Sequence, residues 1–162
     1  MERIWSPWRY AYIAADTDMS EKAVCIFCLA QQDPDKDKEN YVLYRAEHNF
    51  VILNRYPYIT GHLMVAPFAH LGELDAASKA VSDEMMDLAK HCQVALRDIY
   101  RPDGFNLGMN LGRSAGAGIA DHIHLHIMPR WSGDTNFMTT VAETRVLPED
   151  LSMTYQKLRP KF

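Results

Sequence analysis

The 162-residue sequence lacks the marks of secreted, membrane-spanning and nucleic-acid-coating proteins. Its three cysteines are too few for the disulfide framework of a small secreted protein, and no apolar run approaches the roughly 20 residues that cross a bilayer. Basic residues are not in excess: 17 Lys and Arg stand against 21 Asp and Glu. The first nine residues have no apolar segment typical of a secretory signal. We therefore expect a cytoplasmic protein that binds neither nucleic acid nor a membrane.

The length and composition fit a single globular domain. We predict one domain over residues 1–162, with an N-terminal arm (1–24), a core (25–130) and a C-terminal extension (131–162). The polar stretch 31–40 carries one proline and no apolar periodicity, and it is predicted to be an exposed loop.

Strand-like segments stand on both sides of one long helix. They are 41–45, 49–53, 62–66, 105–110, 122–128 and a stretch near 137–142. The helix is predicted over 82–100, with Ser82 as its N-cap and Pro102 and Gly104 beyond its end. Its apolar stripe consists of Met85, Met86, Leu88, Ala89, Cys92, Ala95, Leu96 and Ile99. With a short helix near 149–158, this order predicts an α+β fold with a mainly antiparallel sheet.

Three histidines, His122, His124 and His126, occupy every second position of a predicted strand. Side chains alternate along a strand, so the three share one face and neighbouring histidines lie about 6.6 Å apart. Ile123 and the two other apolar residues that alternate with them form the opposite face, which we expect to pack on the helix stripe. His124 and His126 can then address two atoms of one phosphate group.

Three interpretations of this run stay open on the residues alone. It is a solvated polar face, a His-x-His metal chelate that needs a further ligand, or a nucleophile for phosphate chemistry. Asp121 lies on the wrong face to complete a metal site easily. Neutral imidazole is a competent nucleophile near neutral pH, and the preceding glycine-rich loop, 112–118, brings backbone N–H groups and the donors Arg113 and Ser114 near. These features favour phosphate chemistry.

The segment 122–128 (HIHLHIM) resembles the alternating signature of the histidine triad superfamily. The similarity continues through 54–57 (NRYP), 61–65 (GHLMV) and 67–70 (PFAH), and it covers roughly residues 25–130. The resemblance implies that His124 attacks the α-phosphorus of a nucleotide and that His126 hydrogen-bonds the phosphate. It also implies that His62 lies beside them, that Asn54 binds the ribose, and that two copies form a homodimer with a shared sheet.

The loop before the triad is expected to supply the remaining phosphate contacts, from Asn110, Ser114, Gly116 and Gly118. Many family members carry Gln and then Ser or Thr shortly before the triad. Gly118 and Ile119 stand at those places here, which makes a phosphoramidase activity less expected.

The pair Cys25-x-x-Cys28 has a spacing common in tetrahedral zinc sites. A redox pair and two buried thiols are the alternatives. The family resemblance implies His70 and His122 as the other two ligands of a structural zinc ion, with no organic cofactor. Cys92 belongs to the helix stripe and is expected in the core, while His48 and His91 receive no role.

Two flanking segments, 5–13 and 129–138, resemble bacterial histidine triad proteins of the diadenosine tetraphosphate phosphorylase type. We therefore expect a phosphorylase or hydrolase that cleaves diadenosine polyphosphates through a nucleotidyl-histidine intermediate. The alternatives are a nucleoside phosphoramidase, a non-catalytic zinc-stabilised nucleotide-binding module, and a metal-dependent hydrolase with His124 and His126 as ligands.

Overall fold

A computed structural model describes residues 25–135 and 147–162 of the chain. Five strands form one sheet in the order β1-β2-β3-β5-β4, and every neighbouring pair is antiparallel. The strands are β1 (Val42–Arg45), β2 (Asn49–Leu53), β3 (Leu63–Pro67), β4 (Gly104–Gly108) and β5 (Leu125–Arg130). The predicted α+β class with a mainly antiparallel sheet is confirmed. The arm 1–24 and the strand predicted near 137–142 lie outside the described residues.

Four α-helices accompany the sheet in the described part of the chain. They are α1 (Ile26–Gln32), α2 (Asp37–Asn40), α3 (Lys79–Tyr100) and α4 (Leu151–Leu158). The prediction of a loop over 31–40 is wrong, because this stretch contains the end of α1, a 3-10 turn over Pro34–Lys36, and α2. Asp33 accepts a hydrogen bond from the Asp35 amide, and Pro34 begins the turn, so a polar sequence is helical through capping rather than through apolar periodicity.

Helix α3 begins earlier than the sequence predicts. Ser78, not Ser82, is its N-cap, and the Ser78 hydroxyl accepts a hydrogen bond from the Val81 amide. Ser82 lies inside the first turn, where its hydroxyl donates to the carbonyl groups of Ser78 and Lys79. The predicted end at Tyr100 is confirmed.

The apolar stripe of α3 packs on one face of the sheet. It forms a common core with Ile123, Leu125 and Ile127, as the alternation in the histidine run predicts. Cys92 is fully buried in this core, whereas Met86, assigned to the stripe from spacing, is half exposed.

The opposite face of the sheet carries a smaller core beneath α1. Its buried members are Phe27, Ala30, Val42, Phe50, Ile52, Met64 and Ala66. Met64 lies opposite His126 in the β3–β5 register, so the histidine face continues this apolar surface. Strand β5 begins only at Leu125, which corrects the predicted strand 122–128: His122 and His124 precede the strand but keep its alternation, since His122, His124 and His126 are all buried.

No helix among the described residues is long and apolar enough to span a membrane.

Glu84 connects α3 to the turn between β1 and β2. Its two carboxylate oxygens accept hydrogen bonds from the amides of Glu47 and His48 and from the side chain of Asn49, which is completely buried. Partial burial pushes the pKa of Glu84 upward, but the hydrogen bonds from Asn49, His48 and Glu47 outweigh it and hold the pKa below its ordinary value. The ionised carboxylate therefore ties the helix to the sheet.

We expect Glu84→Gln to lower the free energy of unfolding by about 1–3 kcal/mol at pH 7, because an amide NH₂ group then faces hydrogen-bond donors. Asp87→Asn on the same helix, at an exposed ion pair with Lys90, is the control and should change it little. Since the pKa of Glu84 is lowered in the folded state, its contribution is present above the ordinary Glu pKa and is lost as pH falls through the folded value. Urea denaturation at pH 7 and pH 3 measures both effects, and equal stabilities of the two variants would contradict the role of Glu84.

Candidate active site

His124 is held with one ring nitrogen turned away from solvent and the ring at the wall of a cleft. Its Nδ1 lies 2.9 Å from the backbone carbonyl oxygen of His122. A carbonyl can only accept, so Nδ1 carries the proton and donates, which leaves the lone pair on Nε2. Burial lowers the pKa of His124 and outweighs the opposing effect of this hydrogen bond. The ring is therefore neutral at neutral pH, with its unprotonated nitrogen fixed as Nε2.

A chain of hydrogen bonds sets the tautomer of the other histidines. The backbone N–H of Tyr58 donates to Nδ1 of His62 at 3.1 Å, so the proton of a neutral His62 is on Nε2. That nitrogen lies 2.9 Å from Nδ1 of His126 and donates to it. The remaining proton of a neutral His126 is then on its Nε2. The two histidines thus present opposite chemistry: His124 has an unprotonated Nε2, and His126 has a protonated one.

Asn54 reinforces this arrangement. Its Oδ1 accepts a hydrogen bond from the Tyr56 amide, which turns the amide nitrogen toward Nδ1 of His62 at 3.4 Å. Burial, together with the nearby His126 and His124, lowers the pKa of His62 to about 3. His62 therefore remains neutral across the physiological pH range. Its Nε2–H donates to His126, and its Nδ1 stays unprotonated.

The cleft in front of these histidines brings together most of the predicted catalytic and nucleotide-binding residues. Of those, Asn54, Asn110, Gly116, Gly118, His124 and His126 line it. His62 is buried behind His126. Ser114 lies in the exposed 3-10 turn Arg113–Ala115 and is not among the described residues that line the cleft.

Apolar and aromatic residues that sequence reasoning did not assign complete the wall. They are Ile26, Phe27, Tyr56, Tyr58, Met64 and Ile119. Ile26 and Phe27 lie between the two cysteines, and the Cys-x-x-Cys spacing there predicts only a metal site. Tyr56 lies within the NRYP segment and Tyr58 directly follows it, so their proximity in sequence to Asn54 could have indicated that they line the cleft.

The two cysteines meet two histidines at the end of the sheet. Single ligand atoms of Cys25, Cys28, His70 and His122 all lie within 4.8 Å of one another. The Sγ atom of Cys25 is 3.3 Å from Nδ1 of His122, and that of Cys28 is 3.3 Å from Nδ1 of His70 and 3.7 Å from Nδ1 of His122. Tetrahedral zinc with bonds of about 2.3 Å to sulfur and 2.0 Å to nitrogen separates S and N by about 3.5 Å. The donor set and its spacing therefore fit zinc.

The second ring nitrogen of His122 supports the same assignment. Nε2 lies 2.8 Å from the carbonyl oxygen of Pro67 and donates to it, which leaves Nδ1 unprotonated and directed at the sulfur atoms. Among the described residues, this is the one group of three or more His, Cys, Asp or Glu side chains placed to hold a metal, and neither His124 nor His126 belongs to it.

His122 and Phe27 join this cluster to the cleft. The His122 carbonyl accepts a hydrogen bond from Nδ1 of His124, while the His122 ring faces the cysteines. The Phe27 ring lies 5.1 Å from the His122 ring and 4.9 Å from the His124 ring, measured between centroids. The four-residue cluster and His124 therefore share one packed unit.

Comparison with known proteins gives one consistent result. The HIT domain model matches residues 35–133. A protein named AP-4-A phosphorylase, from two strains of Mycobacterium tuberculosis, is 35% identical over 165 aligned residues, which cover the whole of this chain and 85% of the relative.

Solved structures agree with this assignment. A histidine triad nucleotide-binding protein from Sulfolobus tokodaii superposes with a TM-score of 0.67 at 29% identity, and a Zn-bound histidine triad family protein from Mycobacterium smegmatis with 0.67 at 26%. Each alignment covers 85% of this chain and 91% of the other. The family model matches more than half of this chain, so the chain belongs to the HIT domain family.

Proposed function

We propose that the protein cleaves diadenosine polyphosphates, and diadenosine tetraphosphate in particular, with His124 as nucleophile. The observation that carries the proposal is the hydrogen bond from His124 Nδ1 to the His122 carbonyl, which leaves an unprotonated Nε2 at the cleft. The name of the M. tuberculosis relative, AP-4-A phosphorylase, supports the substrate, because the alignment covers most of both chains.

In the first displacement, Nε2 of His124 attacks the α-phosphorus and forms a P–N bond. The bond from that phosphorus to the bridging oxygen breaks, and its electron pair leaves with the departing nucleotide. A neutral histidine is suited to this step because its lone pair is available without loss of a proton. Its lowered pKa keeps it neutral at the pH of the cytoplasm, where we place the protein.

His126 is proposed to stabilise the charge that develops on the phosphate and the departing oxygen. With Nδ1 accepting from His62, its Nε2–H is the hydrogen-bond donor for an oxygen atom in the cleft. His62 and Asn54 act as positioning residues through this chain, and Asn54 is also proposed to contact the ribose. Backbone groups of Gly116 and Gly118, with Asn110, line the part of the cleft assigned to phosphate. Ser114, in the exposed turn that ends at Gly116, is proposed as a further phosphate contact.

In the second displacement, an acceptor oxygen attacks the same phosphorus and the P–N bond breaks, returning its electron pair to Nε2. Inorganic phosphate as acceptor yields ADP, and water yields AMP. We propose phosphate as the preferred acceptor, in line with the name of the M. tuberculosis relative.

Cys25, Cys28, His70 and His122 are proposed to hold a structural zinc ion. The solved relative from M. smegmatis, described as Zn-bound, supports this assignment. When bound, zinc would link α1 to the segments that carry His70 and His122 and would stabilise the folded chain, with no part in bond breaking. Reduced thiols suit the cytoplasm.

We also propose a homodimer that extends the sheet through β4. This strand is last in the sheet order, and its residues Asn106, Leu107 and Gly108 are exposed. At the other edge, Val42 and Leu43 of β1 are buried. An uncovered edge carrying an apolar side chain favours pairing with a second copy about a two-fold axis.

Incubation of the protein with diadenosine tetraphosphate should release ATP, together with ADP when phosphate is present. His124→Gln should lower the rate at least 1000-fold, since nothing else in the proposed mechanism forms the P–N bond. His48→Gln, at a histidine without an assigned role, is the control and should retain the rate. Chromatography of the products measures both, and turnover by His124→Gln near the normal rate would contradict the proposal.

Metal analysis of the purified protein should find about one zinc per chain. Cys28→Ser should lower the zinc content and the melting temperature together, because the ion stabilises only the folded state. Cys92→Ser removes a thiol outside the cluster and should leave the zinc content unchanged. Full metal content in Cys28→Ser would argue against the four-residue site.

Leu107→Arg should shift the protein from dimer to monomer in sedimentation velocity, because a charge then lies along the pairing edge. Val94→Arg, at an exposed apolar position of α3, is the matched control and should leave the mass unchanged. A monomeric unsubstituted protein would refute the shared sheet.

A further inference from the structure

The glycine-rich loop carries a cation that no described residue neutralises. Arg113 begins the 3-10 turn Arg113–Ala115, and its side chain is exposed. Within residues 25–135 and 147–162 its guanidinium has neither a hydrogen bond nor an ion pair. An arginine left without a partner next to an anion-binding cleft is available to a ligand.

The cleft itself is short of positive charge. None of the described residues that line it is Lys or Arg, although each phosphate of a dinucleoside polyphosphate carries a negative charge. Arg55, the arginine nearest in sequence to Asn54, is engaged elsewhere: it donates to the Glu39 carbonyl, and its guanidinium carbon lies 5.9 Å from the centre of the Tyr41 ring. The lowered pKa values of His62 and His124 keep both rings neutral, so neither adds positive charge for the distal phosphates.

The loop geometry brings Arg113 to this cleft. Gly108 pairs with His126, and the chain then passes through Asn110, which lines the cleft. The Gly116 amide donates to the Arg113 carbonyl at 2.9 Å, a turn that holds the two Cα atoms within about 7 Å of each other. Gly116 also lines the cleft and has a φ of 87°, which favours glycine. The turn therefore places the Cα atom of Arg113 close to Gly116, which lines the cleft wall.

We propose that Arg113 binds the anionic group that lies opposite His124 across the reacting phosphorus. Through this contact it selects phosphate over water as the acceptor, an inference that rests on the proposed function. In an in-line displacement the leaving group departs opposite His124, and the acceptor must approach from that same side. One cation can thus bind the terminal phosphates of the departing nucleotide and, in the second step, inorganic phosphate.

The selection follows from charge. When phosphate attacks, one of its oxygens bonds to the α-phosphorus, the P–N bond breaks, the electron pair returns to Nε2 of His124, and ADP leaves. When water attacks, the P–N bond breaks in the same way, water gives up a proton to solvent, and AMP leaves. A guanidinium concentrates and orients an anion but gains little from uncharged water, so Arg113 is a specificity-determining residue for the acceptor.

The test compares Arg113→Gln, Arg113→Lys and Arg55→Gln in the full chain. Each is incubated with diadenosine tetraphosphate over a range of inorganic phosphate concentrations, and ADP and AMP are quantified. Arg113→Gln should raise the KM for phosphate about tenfold, as expected for loss of one charged hydrogen bond, and should increase the share of AMP. Arg113→Lys should recover part of the loss, and Arg55→Gln should match the unsubstituted protein.

Two results would overturn the inference in distinguishable ways. One result is that the unsubstituted protein cleaves diadenosine tetraphosphate, but Arg113→Gln and Arg55→Gln have the same KM for phosphate and the same share of AMP. In that case only the role of Arg113 fails. If the unsubstituted protein forms neither ADP nor AMP, the proposed function fails and the role of Arg113 fails with it. Because the Arg113 side chain is exposed, its variants should have the melting temperature of the unsubstituted protein, which shows that they fold alike.

Discussion

The hydrogen bond between Nδ1 of His124 and the carbonyl of His122 is the constraint on which the rest of the site depends. A histidine can present either nitrogen, and only an acceptor fixed by the backbone decides which one has the lone pair. That carbonyl belongs to a residue whose ring is held at both nitrogens, by Pro67 on one side and by the cysteine cluster on the other. The orientation of His124 is therefore determined by residues outside the cleft.

The sheet supplies the second half of the arrangement. Its face beneath α1 is apolar, and the same face continues into the histidines through the pairing of Met64 with His126. Burial keeps His62 and His124 neutral, and hydrogen bonds then determine their tautomers. One environment thus yields an acceptor nitrogen on His124 and a donor nitrogen on His126, although the two side chains are chemically identical.

Periodicity in the sequence predicts the elements whose side chains alternate strictly. The class of the sheet and the core face of Ile123, Leu125 and Ile127 follow from spacing. The end of α3 follows from the helix breakers Pro102 and Gly104. The start of α3 does not follow from the sequence, because serine is a favoured cap at both Ser78 and Ser82 and the residue type does not distinguish them. The helical turns in 31–40 are missed for a related reason: capping by Asp33 and Pro34 leaves no apolar pattern. In the cleft, motif spacing identifies the histidines to which we assign the chemistry, whereas Phe27 and Met64, which line the wall, resemble ordinary core residues.

The chain from Tyr58 through His62 to His126 has a consequence for how the site can be observed. The backbone N–H of Tyr58 is the first donor in that chain, so its hydrogen bond exists only while His62 keeps Nδ1 unprotonated and its ring in place. A flipped or doubly protonated His62 would release this amide to solvent. The exchange rate and chemical shift of a single backbone proton, two hydrogen bonds away from His126, therefore report the tautomer of the histidine pair without any label on the histidines themselves.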